Sequence, residues 1–295
     1  MNSLERFLAT IERRPTDHPA VWLGMPDPAS LPALYAEYGV SDLPALKKAV
    51  GEDIYAVEPP YHTPQARAIY AAFDWYGKGD VDEHKRTLTT DGCFKDAEEP
   101  GDLEGFAWPD PKAGMHTREC DALFSTVPEG SAVLGVVWSA HFQDTCAAFG
   151  METALMNMLV NPEIVNIVNR RILDFYLEAN ELFYKAARGR MHAVLIGNDM
   201  GSQRGLMLSP ELIRRFVMPG CRELTAQAHT YGLKVIYHSC GSIDAIIPDL
   251  IDAGVDAIHP IQALATGMDA SSLRARFANH VSFCGGVDTQ ELLVK

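Results

Sequence analysis

Seven short β-branched runs, most followed by a helical pattern, constrain this chain more than any other feature. They are Ala20 to Met25, Asp53 to Pro59, Ala132 to Ala140, Ala193 to Gly201, Lys234 to Gly241, Asp256 to Gln262 and Val281 to Asp288. Strands that alternate with helices pair in parallel, so the architecture is α/β. A chain of 295 residues that is 47% apolar can fill one large core, and α/β barrels commonly run to about 250 residues as a single domain. The expectation is therefore one (β/α)₈ TIM-type barrel domain over residues 1–295. A closed barrel needs an eighth strand to remove its open edges, so that strand is expected beyond Lys295, or else the barrel closes in an unusual way.

Helix starts are marked as clearly as the strands. Asn161-Pro162-Glu163 and Ser209-Pro210-Glu211 each combine an N-cap, a proline in the first turn and an early acid. The first of these helices should run to about Arg188, with Gly189 as its C-cap, and Asp269 should cap another ahead of Leu273 to Phe277. The stretch from Pro59 to Gly130 breaks the pattern with proline, glycine and charge clusters. It reads as a loop-rich insertion at about 60–130, containing a hairpin and shaping the mouth of the barrel.

Charge and composition narrow the partners. With 39 acidic against 25 basic residues and a net charge of -14, the chain repels nucleic acid and anionic lipid surfaces. Met1 to Pro15 mixes Glu5, Arg6, Glu12, Arg13 and Arg14 and has no signal-peptide core, and no apolar run approaches the roughly 20 residues needed to span a bilayer. A cytoplasmic location is expected. Six scattered cysteines then suit reduced thiols or a metal site better than a disulfide framework.

The residues that suit chemistry stand at strand ends, where a parallel barrel carries its active site. In Lys234 to Gly241, His238 and Cys240 are spaced i, i+2 and share one face of the strand. Imidazole and thiolate together suit Zn²⁺; the competing reading is a hydrogen-bonded interior histidine beside a space-filling cysteine. Cys284 is placed to be a third ligand, or is a buried apolar thiol. Asn198 and Asp199 arrive on another strand end, followed by Gln203 and Arg204, and Asn198 and Gln203 are candidates to bind substrate. Asp199 suits a general base, the orienting of a metal ligand or a substrate cation, and equally a turn cap. His259 and Gln262 are weaker substrate-binding candidates, since a histidine before proline is often a turn residue. Asp288, after Gly285-Gly286, suits close approach of a ligand or simply a turn, and His141 and Asp144 carry the same two readings. Nucleotide-binding glycine loops and a serine nucleophile elbow are absent.

From Gly150 to Leu293 the chain resembles the uroporphyrinogen decarboxylase superfamily. The resemblance is carried by Gly150-Met151-Glu152, Asn161-Pro162-Glu163, Gly197 to Gly201, Leu208 to Glu211, His238 to Ile243, Pro248 to Asp256 and Gly285 to Asp288. Decarboxylases of this superfamily resemble one another in a Val-Trp-x-Met-Arg-Gln-Ala-Gly-Arg-Tyr-Leu-Pro segment whose arginines hold substrate carboxylates. Here Val21-Trp22 and Leu31-Pro32 are in register, but Met25 and Ala29 stand at the arginine positions and offer no guanidinium fork. The chain is more similar to the corrinoid-linked zinc methyltransferase branch, which shares the His-x-Cys-Gly strand end. That resemblance implies zinc ligation by His238 and Cys240, with a cysteine on the eighth strand as the third ligand; from their strand-end positions, Asp199 and His238 are the residues expected to act in catalysis. It implies methyl transfer between a small substrate and a corrinoid protein or thiol. The nearest stretch to a cobalamin-ligating Asp-x-His-x-x-Gly motif, Asp82 to Thr87, lacks the glycine, so any corrinoid would ride on a separate polypeptide. The alternatives are a cofactor-free decarboxylase of the uroporphyrinogen type and a ligand-binding barrel without catalysis.

Overall fold

In the computed structural model, residues 1–59 and 91–288 are described. The strands are β1 (Ile54–Val57), β2 (Ala132–Trp138), β3 (Ala193–Gly197), β4 (Lys234–His238), β5 (Ala257–Ile261) and β6 (Ser282–Gly285). They form one sheet in the order β1-β2-β3-β4-β5-β6, every neighbouring pair parallel. The helices are α1 (Ser3–Ile11), α2 (Leu31–Tyr38), α3 (Leu43–Ala49), α4 (Pro111–Gly114), α5 (Thr117–Ser125), α6 (His141–Phe149), α7 (Met151–Val160), α8 (Pro162–Ala187), α9 (Pro210–Phe216), α10 (Met218–Thr230), α11 (Ile247–Asp252) and α12 (Ala270–Phe277).

Side-chain alternation divides the core into two layers. Ala193 and Leu195 of β3 join Leu134, Ile236 and Ala257 in one buried cluster, while Val194 and Ile196 join Val235, Ile258 and the helices in another. One compact cluster drawn from β1 through β5 requires the sheet to curl, so the inner cluster fills a half-barrel and the outer one lies beneath the helices. Phe7 and Ile11 of α1 belong to the inner cluster, and Leu4 N–H donates to the carbonyl of Gly130, just before β2. The Ser282 hydroxyl, at the start of β6, donates to the carbonyl of Ile11. Helix α1 thus plugs the amino-terminal end of the curl and leaves the carboxyl rim for the site.

The run Ala20 to Met25 is not a strand. Prolines 19 and 26 bracket it, and its bonds to the start of β1 mix backbone with carboxylate side chains: Asp53 N–H donates to the carbonyl of Val21, Val21 N–H to Asp53 Oδ2 and Leu23 N–H to Glu52 Oε1. Six of the seven expected strands are therefore present among the described residues, each shorter than its sequence run. The helix expected from Asn161 ends with left-handed Arg188 (φ 52) ahead of Gly189 (φ 76). Ser209 and Asp269 cap their helices by accepting from Leu212 N–H and Ser272 N–H. Asn161 instead sends its amide to the carbonyl of Glu98.

The insertion differs from expectation where it is described. Over 91–130 it holds a 3₁₀ turn and helices α4 and α5, with no hairpin. It packs onto the outer layer: Phe94 meets Phe106, Trp108 and Phe149 at 4.9–6.0 Å between ring centroids. Residues 60–90, with Asp82 to Thr87, lie outside the described residues. Among the described residues no helix is long and apolar enough to cross a membrane. The six cysteines are all free thiols.

Candidate metal centre

Register builds the site. In the β3–β4 pair Gly197 lies opposite His238, so the residues two further along, Asp199 and Cys240, meet beyond the sheet's rim. The strands press closely there: a Cβ on Gly197 would stand 2.1 Å from the carbonyl oxygen of His238. Gly241 turns with φ +82 against the backbone of Gly201. The result is a group of three ligand-type side chains, Asp199, His238 and Cys240, whose donor atoms all lie within 4.8 Å of one another.

The distances within the group are short. His238 Nε2 is 3.3 Å from Asp199 Oδ1 and 3.5 Å from Cys240 Sγ, and Cys240 N–H donates to Asp199 Oδ1 at 2.8 Å. Gln143, in the first turn of α6, grips Asp199 from the other side. Its Oε1 accepts from Asp199 N–H at 3.1 Å, and its Nε2 donates to Asp199 Oδ2 at 3.4 Å. Behind His238, its Nδ1 stands 3.0 Å from Nδ1 of His259, the residue paired with it in register on β5. Trp138 and His238 meet edge to face at 5.0 Å between ring centroids, and Trp22 lies 5.3 Å from His259.

Electrostatics follow from this packing. Burial pulls the Asp199 carboxyl upward, but the hydrogen bonds from His238 and from Cys240 N–H outweigh it and hold the group below its ordinary value. Burial, then the charge of Asp199, push the Cys240 thiol up to about 11. Burial and the neighbouring His238 pull His259 down to about 4.

The other sequence candidates are dispersed. Asn198 is 1% exposed and faces the outer layer. Its Oδ1 accepts from Phe142 N–H and Gln143 N–H, and its Nδ2 donates to Tyr237 Oη. Asn198, a substrate-binding candidate in the sequence, joins the start of α6 to the end of β3 through these bonds, and we propose a structural role for it. Asn198→Ala should cost about 2–3 kcal/mol, because it strands two buried amide donors. Urea unfolding measures this, and a variant as stable as the parent would refute the assignment.

His141 and Asp144, also on α6, point away from the rim into the outer layer and are fully buried. His141 Nδ1 pairs with Asn169 Oδ1 at 2.8 Å, while Asp144 accepts from the hydroxyl of Tyr176. Gln203 and Gln262 bind each other at 2.7 Å, and Gln262 Oε1 also accepts from Gly241 N–H. Together they tie the loops after β3 and β5 across the end of β4. Cys284 shares the inner face of β6 with Ser282, one strand beyond His259, and is not in the three-ligand group; burial pushes its thiol up to about 11. Asp288 follows β6 and is likewise outside the group. Sequence reasoning missed Gln143, Trp22 and Trp138 as neighbours of the site.

Carrying imidazole, thiol and carboxylate on the carboxyl rim of a curled parallel sheet defines a barrel-like α/β protein with a candidate metal centre. A family model for uroporphyrinogen decarboxylase (URO-D) matches residues 98–295. That is more than half of the chain, and the chain belongs to this family. A solved structure described as a methyltransferase from Methanosarcina mazei is similar in fold, with a TM-score of 0.56 and 15% identity, covering 88% of this chain and 76% of that one. No curated protein sequence matches the chain.

Proposed function

We propose that this URO-D family member is a zinc-dependent methyltransferase or demethylase, with Asp199, His238 and Cys240 as its metal ligands. The observation that carries this reading is the spacing of the three donors. Tetrahedral Zn²⁺, with bonds of about 2.05 Å to nitrogen or oxygen and about 2.3 Å to sulfur, separates N from S by roughly 3.5 Å and N from O by roughly 3.4 Å. In this chain His238 Nε2 lies 3.5 Å from Cys240 Sγ and 3.3 Å from Asp199 Oδ1. Three ligands leave a fourth position for substrate, as catalytic zinc sites do.

Zinc held there would deprotonate a bound thiol or polarise a heteroatom leaving group, either of which suits methyl transfer. The chain's own residues supply the rest. Asp199 contributes anionic charge and is oriented by both ends of Gln143. Trp138 and Trp22 flank the histidines with apolar surface that limits water around a small methyl donor. The acceptor is a thiol or a corrinoid carried on a separate protein, and the described half-barrel belongs to a closed eight-stranded barrel in a cytoplasmic enzyme. Met25 and Ala29, where decarboxylases have arginines, weigh against tetrapyrrole decarboxylation.

Elemental analysis of purified protein tests the reading. The expected result is about one zinc per chain, lost in Cys240→Ser. A wild-type protein that stays metal-free after zinc loading overturns it, and directs the search to decarboxylation or to ligand binding without catalysis.

A further inference from the structure

We propose that His259 is a positioning residue, which shares one proton with His238 between their Nδ1 atoms and so sets whether His238 offers Nε2 as a donor or as a lone pair. The inference rests on the metal-binding reading above and adds a role for a residue outside the ligand group. The two Nδ1 atoms are 3.0 Å apart. At that distance one nitrogen must carry hydrogen and the other a lone pair, because two lone pairs repel and two N–H groups collide.

The other end of His238 decides which way round the pair sits. Without a cation, Nε2 faces an ionised carboxylate at 3.3 Å, which accepts hydrogen and gives none. Nε2 then carries the proton, His238 Nδ1 is the acceptor, and His259 Nδ1–H is the donor. When a cation takes the Nε2 lone pair, the arrangement reverses. His238 loses the Nε2 proton to solvent, the shared proton passes from His259 Nδ1 to His238 Nδ1, and His259 regains one from solvent at Nε2. The proton count of the pair is unchanged. A ligand histidine is commonly steadied by an acceptor at its second nitrogen; the acceptor here is a second imidazole, able to be donor in one state and acceptor in the other.

The surroundings of His259 suit this exchange. Strand register sets it beside His238, its carbonyl accepts from Ser239 N–H at 2.8 Å, and Trp22 packs against its ring. Its Nε2 has no hydrogen-bond partner among the described residues, so nothing there fixes the tautomer.

Zinc affinity by chelator competition, run on the intact chain, reads the effect. His259→Ala should bind one zinc per chain about 10–100-fold more weakly than wild type, the range for outer-shell partners of a ligand histidine. His259→Phe, which keeps a ring beside Trp22, should be as weak as His259→Ala. His259→Asn, whose carboxamide can accept at the same place, should recover most of the affinity. Wild-type affinity in His259→Phe overturns the proposal, because packing alone would then suffice. Nitrogen-15 NMR adds a readout that packing cannot move: His259 protonated on Nδ1 in metal-free protein and on Nε2 after zinc. A metal-free His259 protonated on Nε2 overturns the shared-proton arrangement. A wild-type chain that binds no zinc defeats the functional reading instead, and leaves the metal-free tautomer as a separate test of the proton sharing.

Discussion

Gly197→Ala is expected to destabilise the protein by at least about 3 kcal/mol, the upper part of the range for forcing atoms into a packed interior. The added carbon would stand 2.1 Å from the carbonyl oxygen of His238, and 2.7 Å from both its amide nitrogen and its Cβ. No rotamer change relieves a clash between a Cβ and a neighbouring backbone, so the two strands must separate. That is expensive at this place, because Asn198 N–H donates to the same His238 carbonyl at 3.0 Å. It also disassembles the candidate metal centre, since Asp199 reaches His238 only while β3 and β4 stay in contact. Urea unfolding followed by circular dichroism should show the lost stability, and zinc titration of whatever folds should show weak or absent binding. A stability within about 1 kcal/mol of the parent would mean that the rim is more pliable than its contacts imply.

The Gly197 contact also marks the boundary of what the sequence reveals. β-branched runs located six strands, and helix caps at Ser209 and Asp269 were readable because capping is a local signal. The i, i+2 spacing of His238 and Cys240 announced one edge of the site for the same reason. What spacing cannot give is register between strands. Asp199 becomes a neighbour of Cys240 only because Gly197 pairs with His238; a shift of one residue would turn it to the other face. Spacing alone points to Cys284, the chain's next cysteine at a strand end, as a third ligand, whereas register brings Asp199 beside His238 and Cys240 across the β3–β4 pair. Helix α6 carries the same lesson, for its residues His141 and Asp144 bear the more reactive side chains but face the outer layer. Gln143, with the duller side chain, is the one that reaches Asp199. Run Ala20 to Met25 differs for another reason: its composition is strand-like, but it makes one backbone bond, from Asp53 N–H to the Val21 carbonyl, and the Asp53 and Glu52 side chains take the N–H groups of Val21 and Leu23, so no ladder forms.

Asp199 can be separated into its two roles by a pair of substitutions. As the proposed ligand it would supply negative charge; as a structural group its Oδ1 accepts from Cys240 N–H at 2.8 Å. Asp199→Ala removes both. It should lower stability by about 1.5–3 kcal/mol, the worth of a hydrogen bond to a charged group. It should also weaken zinc binding more than about 100-fold, beyond the range for an outer-shell partner. Asp199→Asn keeps the oxygen for Cys240 N–H and the backbone N–H bond to Gln143 Oε1, and loses only the longer bond from Gln143 Nε2, so its stability should stay within about 1 kcal/mol of wild type. Its neutral carboxamide is a much poorer partner for a dication, and its zinc affinity should fall nearly as far as that of the alanine variant. Competitive titration of both variants, alongside urea unfolding without metal, checks the two effects independently. Asp199→Asn with wild-type zinc affinity would remove Asp199 from the ligand set, leaving it to shape the Cys240 turn. The third ligand would then have to come from elsewhere on the rim, with Cys284 the first residue to substitute.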